Sequence, residues 1–413
     1  MILSAPHSSI NGEVELPSSK SISNRWLMIQ ALSDEPIFLQ HVSNADDTVL
    51  LQQLLNQIAA GDVVEIDAKD AGTVFRFLTA YLPIQKGLSF VLTGTPRMQE
   101  RPIGELVSAL KHLGADIQYL NYEGFPPLQI RGGNLTGGKL DISGQISSQF
   151  ISALCLIGPK LPQGLTLHIQ GSPVSIDYIH MTLRIMQHAG ASSSFENNLI
   201  RIEPQAYKTC EVNIESDWSS AVFFYCMALL RPGSKIFLKG LSADELQGDR
   251  RIAEIAAQLG VHSRWTEEGV WVDSVQEGLT SGTLHFDLSA CPDLAVPFII
   301  TCAIKYPQVS ISGVDHLQYK ESKRFSVLQE EAKKFGLQIE HKQGQVSFSG
   351  QLHADKTNII AVHSHQDHRI AMAMSLFCLQ GFSITIDDMD CVKKSFPGYW
   401  EVLKGLGWIF CER

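Results

Sequence analysis

The chain is poor in charge, and the charge it carries is not basic. Of 413 residues only 18% are Asp, Glu, Lys or Arg, and 33 Lys and Arg stand against 43 Asp and Glu, a net charge of −10. No overall basic field is available to hold nucleic acid or an anionic membrane surface. Long hydrophobic runs are missing too. The longest apolar stretches, such as Leu294 to Ile304, fall far short of a membrane span, and Met1 to Pro17 lacks a basic segment followed by an apolar run. A cytoplasmic protein with no membrane attachment is expected. The eight cysteines form no CxxC pair, and Cys155, Cys226, Cys302 and Cys378 lie in apolar helix-like segments. Buried thiols are expected there rather than disulfides or a zinc site, and no HExxH spacing marks a metal centre. The composition does contain 44% hydrophobic residues, enough for sizeable cores. Against a common domain size of about 100 to 200 residues, the length implies two or three domains or one duplicated architecture.

Duplication is legible as a period. Amphipathic helix-like stretches close near Gly114, Gly190, Gly260, Gly336 and Gly407, at spacings of 76, 70, 76 and 71 residues. Strand-like runs ending in Gly precede four of them ("LSFVLTG", "LTLHIQG", "SKIFLKG", "QVSISG"), and alternating runs ("LIRIEP", "GVWVDS", "QVSFSG") follow three, so each unit reads β-α-β-β. A second helix series starts at Ser21, Gly72, Ser147, Ser219, Asp293 and Asp367, each segment apolar nearly all round and therefore buried on all sides. Six units result, the first shortened by about one β-hairpin between Asp47 and Asp70. They divide into two α/β domains of three repeats, each built around buried parallel helices whose N-termini favour anions.

The polar chemistry gathers at those starts: Lys20-Ser21 with Arg25, Gly72-Thr73 with Arg76, Ser147-Ser148-Gln149, Asp217-Trp218-Ser219-Ser220, Asp293, and Asp367-His368-Arg369. Plain N-capping accounts for Asp217 and Ser219. It does not account for Lys20, Arg25, Arg76 and Arg369, because a cation near a helix N-terminus opposes the dipole unless an anion binds there. Further cations lie in loops, at Arg97 to Pro102, Lys320 to Arg324 and Lys393 to Pro397. A small polyanionic ligand is implied, with Asp293 and Glu321 placed to accept and donate protons.

The strings "SSKSISNR", "AGTVFR", "TGTPRMQERPIGELV", "SSQFISAL", "PDLA", "KESKR", "DHRIAMAMS" and "KKSFPGYW" occur in this order over nearly the whole chain. In them the chain resembles the 5-enolpyruvylshikimate-3-phosphate synthase family. The resemblance implies two inverse α/β domains of three repeats each, the enolpyruvyl transferase fold. It places residues 18–215 in one domain and 1–17 plus 216–413 in a discontinuous second one, with the substrate cleft between them and closure on binding. It implies a monomer that transfers the carboxyvinyl group of phosphoenolpyruvate to the 5-hydroxyl of shikimate 3-phosphate, with no metal or organic cofactor.

Residue by residue, the resemblance implies that Lys20 contacts both substrates and is catalytic together with Asp293 and Glu321. Ser21, Arg25, Ser147, Ser148, Ser175, Tyr178, His316 and Lys320 would hold shikimate 3-phosphate. Gly72, Arg101, Arg324, Arg369 and Lys394 would hold phosphoenolpyruvate, with Gln149 between the two. Asp293 is the expected proton acceptor from the hydroxyl and Glu321 the donor to the methylene carbon. Asp70, His316 and Gln366 each stand where the family has Asn. Asp70 would put a carboxylate near a phosphate, which predicts weaker donor binding.

Two other readings remain open. A sister enolpyruvyl transferase acts on UDP-N-acetylglucosamine, but the Arg97 to Pro102 loop lacks the cysteine usual there, and "SSQ" and "KESKR" fit shikimate phosphate better. A non-catalytic phosphometabolite-binding relative is opposed by the presence of both Asp293 and Glu321, since anion binding gains nothing from carboxylates.

Overall fold

Burial separates the helices into two kinds, as the apolar patterns require. The computed structural model describes residues 1–61, 63–145, 147–243, 246–275, 284–319 and 322–412. The chain divides into two units, Lys20–Ile214 and a discontinuous one of Met1–Ser19 with Glu215–Arg413. None of the described helices is long and apolar enough to cross a membrane.

In the unit Lys20–Ile214 the helices are α1 (Lys20–Leu32), α2 (Asp46–Ala60), α3 (Gly72–Tyr81), a short α4 (Pro96–Gln99), α5 (Gly104–His112), α6 (Ser148–Ile157) and α7 (Ile176–His188). All of α3 except Thr73 and all of α6 except Gln149 is buried, and the two pack together. Helices α2, α5 and α7 bury one face only, because their sequences alternate apolar and polar at helical spacing. Two four-stranded sheets sheathe the helices. One orders Glu65–Asp67, Ser89–Thr93, Leu128–Arg131 and Asp116–Tyr119; the other orders Gly138–Ser143, Leu165–Gln170, Leu199–Ile202 and Ser193–Glu196. In each the first pair is parallel and the remainder antiparallel.

The first repeat differs, as expected from its length. Among the described residues its sheet is Ile37–Gln40 paired in parallel with Cys210–Asn213. The hairpin that would cover the other edge is absent, and Gln30 Nε2 instead donates to Ile37 O at 2.7 Å. The outer helix of this repeat, α2, closes at Gly61 in the left-handed region (φ 74°). Gly61 falls outside the glycine series because it stands 53 residues before Gly114, off the spacing of 70 to 76.

The second unit contains α8 (Trp218–Leu230), α9 (Ile252–Ala257), α10 (Ala295–Lys305), α11 (Arg324–Lys333), α12 (His368–Met374) and α13 (Tyr399–Gly405). Every residue of α8 and of α12 is buried, and α10 packs against both. Each large apolar side chain that these inner helices bury contributes about 1.5–3 kcal/mol. The sixth repeat ends at strand Ile409–Cys411 and is completed by the chain's other end: Ile2–Ser4 inserts antiparallel between it and Ser383–Ile386. Asn11–Glu15 joins the sheet of Lys235–Lys239 in parallel. The N-terminal segment is therefore structural in this unit. Glycine recurs just past the outer-helix ends because the chain leaves the helix through a left-handed residue, as at Gly114 (φ 101°) and Gly336 (φ 91°).

Candidate active site

Lys20 opens α1 without an acidic first turn, and its Nζ lies 3.1 Å from Asp47 Oδ2 at the start of α2. Arg25, one turn further on, is 2% exposed. Its Nε donates to Thr182 Oγ1 at 2.7 Å, Nη1 to Ser21 O at 2.9 Å, and Nη2 to Ser152 Oγ at 3.2 Å and Tyr178 O at 3.4 Å. The guanidinium also lies over the rings of Phe77 and Tyr178. Among the described residues no carboxylate pairs with it, and burial lowers its pKa to about 10. A desolvated cation with only neutral partners is costly unless an anion joins it.

Ser147 caps α6, its hydroxyl accepting from Gln149 N at 3.3 Å. Ser148 is buried. The loop before α6 is tied to the loop before α7 by Val174 N–H donating to Gly144 O at 2.9 Å. Ser175 follows in the left-handed region (φ 55°) and is 4% exposed, a strained backbone of the kind kept at functional positions. Gln149 joins this group to the next: its Oε1 accepts from Arg76 Nη1 at 2.5 Å and its Nε2 donates to Thr73 Oγ1 at 3.1 Å. A Cβ added to Gly72 would stand 2.5 Å from Arg101 Nη1 and 2.8 Å from Arg76 Nη1. The missing side chain lets two guanidiniums converge on the N-terminus of α3.

The loop bearing Arg101 is held by a relay. Thr95 caps α4, its Oγ accepting from Met98 N at 3.3 Å while donating to Asp70 Oδ1. Asp70 is thus bonded to a hydroxyl, a role the sequence did not disclose.

In the discontinuous unit, Arg324 is 1% exposed and its Nε lies 2.8 Å from Asp367 Oδ2. Its Nη1 is 3.5 Å from Asp293 Oδ1. Arg369 reaches Asp293 twice, Nη2 to Oδ2 at 2.9 Å and Nη1 to the carbonyl at 3.0 Å. Asp367 also accepts from Ser322 Oγ at 3.0 Å and caps α12 through Arg369 N at 3.1 Å. Lys394 ends a short turn, Asp390–Lys394, beside Cys391. Burial, with Asp388 and Asp367, pushes that thiol up to about 12, and Lys394 opposes the shift. His316 is half-buried in the turn Asp315–Tyr319. Lys320 and Glu321 lie outside the described residues.

Two local expectations need correction. Asp217 occupies the N-cap position of α8, but its carboxylate makes no cap bond there. It accepts instead from Ser219 Oγ (2.7 Å), Ser220 Oγ (2.6 Å) and Gln247 Nε2 (2.9 Å), because these side chains reach it first. Asp293 does not begin its helix, which starts two residues later at Ala295 and leaves the carboxylate for the arginines. Sequence reasoning also missed Asp47, Ser152 and Thr182, whose only sign was a polar residue inside or opening an apolar helix. Glu330, Glu331 and His365 come within 4.8 Å of one another, yet Lys334 Nζ lies 2.8 Å from each oxygen of Glu331, so an ammonium already compensates that carboxylate.

The fold is shared with the solved structure of EPSP synthase from Acinetobacter baumannii, with a TM-score of 0.78 at 22% identity over 100% of this chain and 99% of that one. The family model described as EPSP synthase (3-phosphoshikimate 1-carboxyvinyltransferase) matches residues 4–63 and 39–403. A protein of Bacteroides fragilis (strain YCH46) named 3-phosphoshikimate 1-carboxyvinyltransferase is 42% identical over 408 residues, 98% of this chain and 97% of its own. One of the same name from Aliivibrio salmonicida is 32% identical over 430 residues, 97% of this chain and 98% of its own. The chain belongs to the EPSP synthase family.

Proposed function

We propose that this protein transfers the carboxyvinyl group of phosphoenolpyruvate to the 5-hydroxyl of shikimate 3-phosphate and releases phosphate. The observation that carries the reading is Arg25, buried in an acidic chain with only neutral partners among the described residues. Ser21, Ser147, Ser148, Ser175 and Tyr178 supply a hydroxyl-rich surround suited to a phosphorylated polyol, with His316 and Lys320 completing the acceptor set. Lys20, Gly72, Arg101, Arg324, Arg369 and Lys394 are assigned to phosphoenolpyruvate, and Gln149 to both ligands.

Chemically, the acceptor oxygen bonds C2 of the donor while its proton passes to Asp293, and the methylene carbon takes a proton from Glu321. Return of a proton from that carbon to Glu321 then restores the double bond as the C2–O bond to phosphate breaks, and the departing phosphate takes the proton held by Asp293, which resets both carboxyl groups. Asp293 is held by Arg369 and Arg324. The anionic donor draws on the same guanidiniums that hold this carboxylate. Fixed cations stabilise the charge that develops without reorganisation of water.

Mixing the protein with both substrates and measuring phosphate release tests the reading. Release with shikimate 3-phosphate and none with UDP-N-acetylglucosamine supports it. The reverse selects the sister transferase, and no release with either selects a binding protein.

A further inference from the structure

Helix α11 carries Arg324 at its first position and Glu331 seven residues later, so both side chains lie on one face. Arg324 grips Asp367. Glu331, with 0% of its side chain exposed, takes no part in the chemistry described so far, although burying a carboxylate is expensive and a buried ion pair is weak evidence of stabilisation. What it touches is the segment that leads into Asp367. Its Oε2 accepts from His363 N at 3.1 Å, and its Oε1 lies 3.5 Å from His365 Nε2. Lys334 balances the charge and also donates to Ala361 O at 3.1 Å, on the strand before the segment.

The segment needs holding. His365 and Gln366 are both left-handed, with φ of 52° and 54°, and neither is glycine. Each such residue costs about 1–2 kcal/mol, so two in succession persist only where the surroundings over-determine them. Gln is a poorer occupant of this region than Asn, which makes the support more necessary here. Asp387 grips the same segment, accepting from Ser364 N at 2.8 Å and lying 3.2 Å from His363 Nδ1, and these bonds lower its pKa to about 2 despite partial burial. Directly after the left-handed step, Asp367 caps α12 and sets Arg369 against Asp293.

We propose that Glu331 is a positioning residue for the donor site. It anchors His363 through the backbone N–H and lies against the ring of His365, holds the left-handed step in register, and so places Asp367 and the guanidinium of Arg369 for the donor's anionic groups. This rests on the reading that Arg369 binds phosphoenolpyruvate.

The test is steady-state kinetics of Glu331→Ala and Glu331→Gln with both substrates varied, together with hydrogen exchange of the amides from His363 to Arg369. Alanine is expected to raise KM for phosphoenolpyruvate about tenfold, with KM for shikimate 3-phosphate within about twofold of the parent. Glutamine keeps an acceptor for His363 N–H but loses the charge, so it is expected to raise KM for phosphoenolpyruvate alone, by about threefold. Faster exchange confined to the segment is expected in both variants. An unchanged KM for phosphoenolpyruvate, or an equal rise in both constants, overturns the proposal. Should the alanine variant not fold, glutamine decides by the same criteria. Absence of phosphate release by the parent protein would sink the functional reading instead, while the exchange data would still show whether Glu331 holds the segment.

Discussion

Arg324 and Asp367 form an ion pair closed to solvent: Nε and Oδ2 are 2.8 Å apart, with 1% and 0% of the two side chains exposed. Removing one partner strands the other charge. Asp367→Ala is therefore expected to lose about 3–5 kcal/mol of unfolding free energy, and Arg324→Met combined with Asp367→Leu to lose less than the single change. Urea unfolding of the three proteins measures this. A single-variant loss below about 1 kcal/mol would mean that Asp293 alone compensates Arg324.

Arg25 makes directional bonds from Nε and Nη2 to two hydroxyls on separate helices. Lysine keeps the charge but has one nitrogen and no planar fork. Arg25→Lys is expected to raise KM for shikimate 3-phosphate by about tenfold or more and to leave that for phosphoenolpyruvate within about twofold. Equal effects on both constants would move Arg25 out of the acceptor set.

At Gly72 the space for a side chain is taken by Arg101 and Arg76. Gly72→Ala should push both guanidiniums away from the start of α3 while sparing the fold, because the contacts are flexible side-chain ends. A rise in KM for phosphoenolpyruvate of about tenfold with an unchanged melting temperature is expected. A lower melting temperature with unchanged kinetics would mean that the site is packing only.

These assignments were unequally legible in the sequence. The inner helices could be read because burial on all sides leaves no polar stripe, and the outer ones because a left-handed C-cap selects glycine, as at Gly336. Helix α2 escaped the series since Gly61 stands 53 residues before Gly114, off the period. The cations at helix starts announced an anion, but their partners did not show. Asp47, Thr182 and Asp367 lie 27, 157 and 43 residues from Lys20, Arg25 and Arg324. Only the fold tells which polar residue meets which cation.

Asp70 illustrates the same limit. From the sequence, its carboxylate is a repulsive neighbour for a phosphate; in the fold it accepts from Thr95, which caps α4 ahead of Arg101. Asn preserves the Oδ1 acceptor, so Asp70→Asn is expected to change KM for phosphoenolpyruvate by less than about twofold, and Asp70→Ala to raise it by about fivefold. A fall in that KM for the Asn variant, weaker at high salt, would restore the repulsion account.

The central claim is the transfer itself, and phosphorus NMR of the protein with equimolar phosphoenolpyruvate and shikimate 3-phosphate observes it most directly. The account predicts that the donor resonance gives way to inorganic phosphate only when shikimate 3-phosphate is present, as a new phosphate-ester resonance replaces that of the acceptor in equal amount. A donor resonance unchanged in the presence of the acceptor, or phosphate formed without it, would contradict the account.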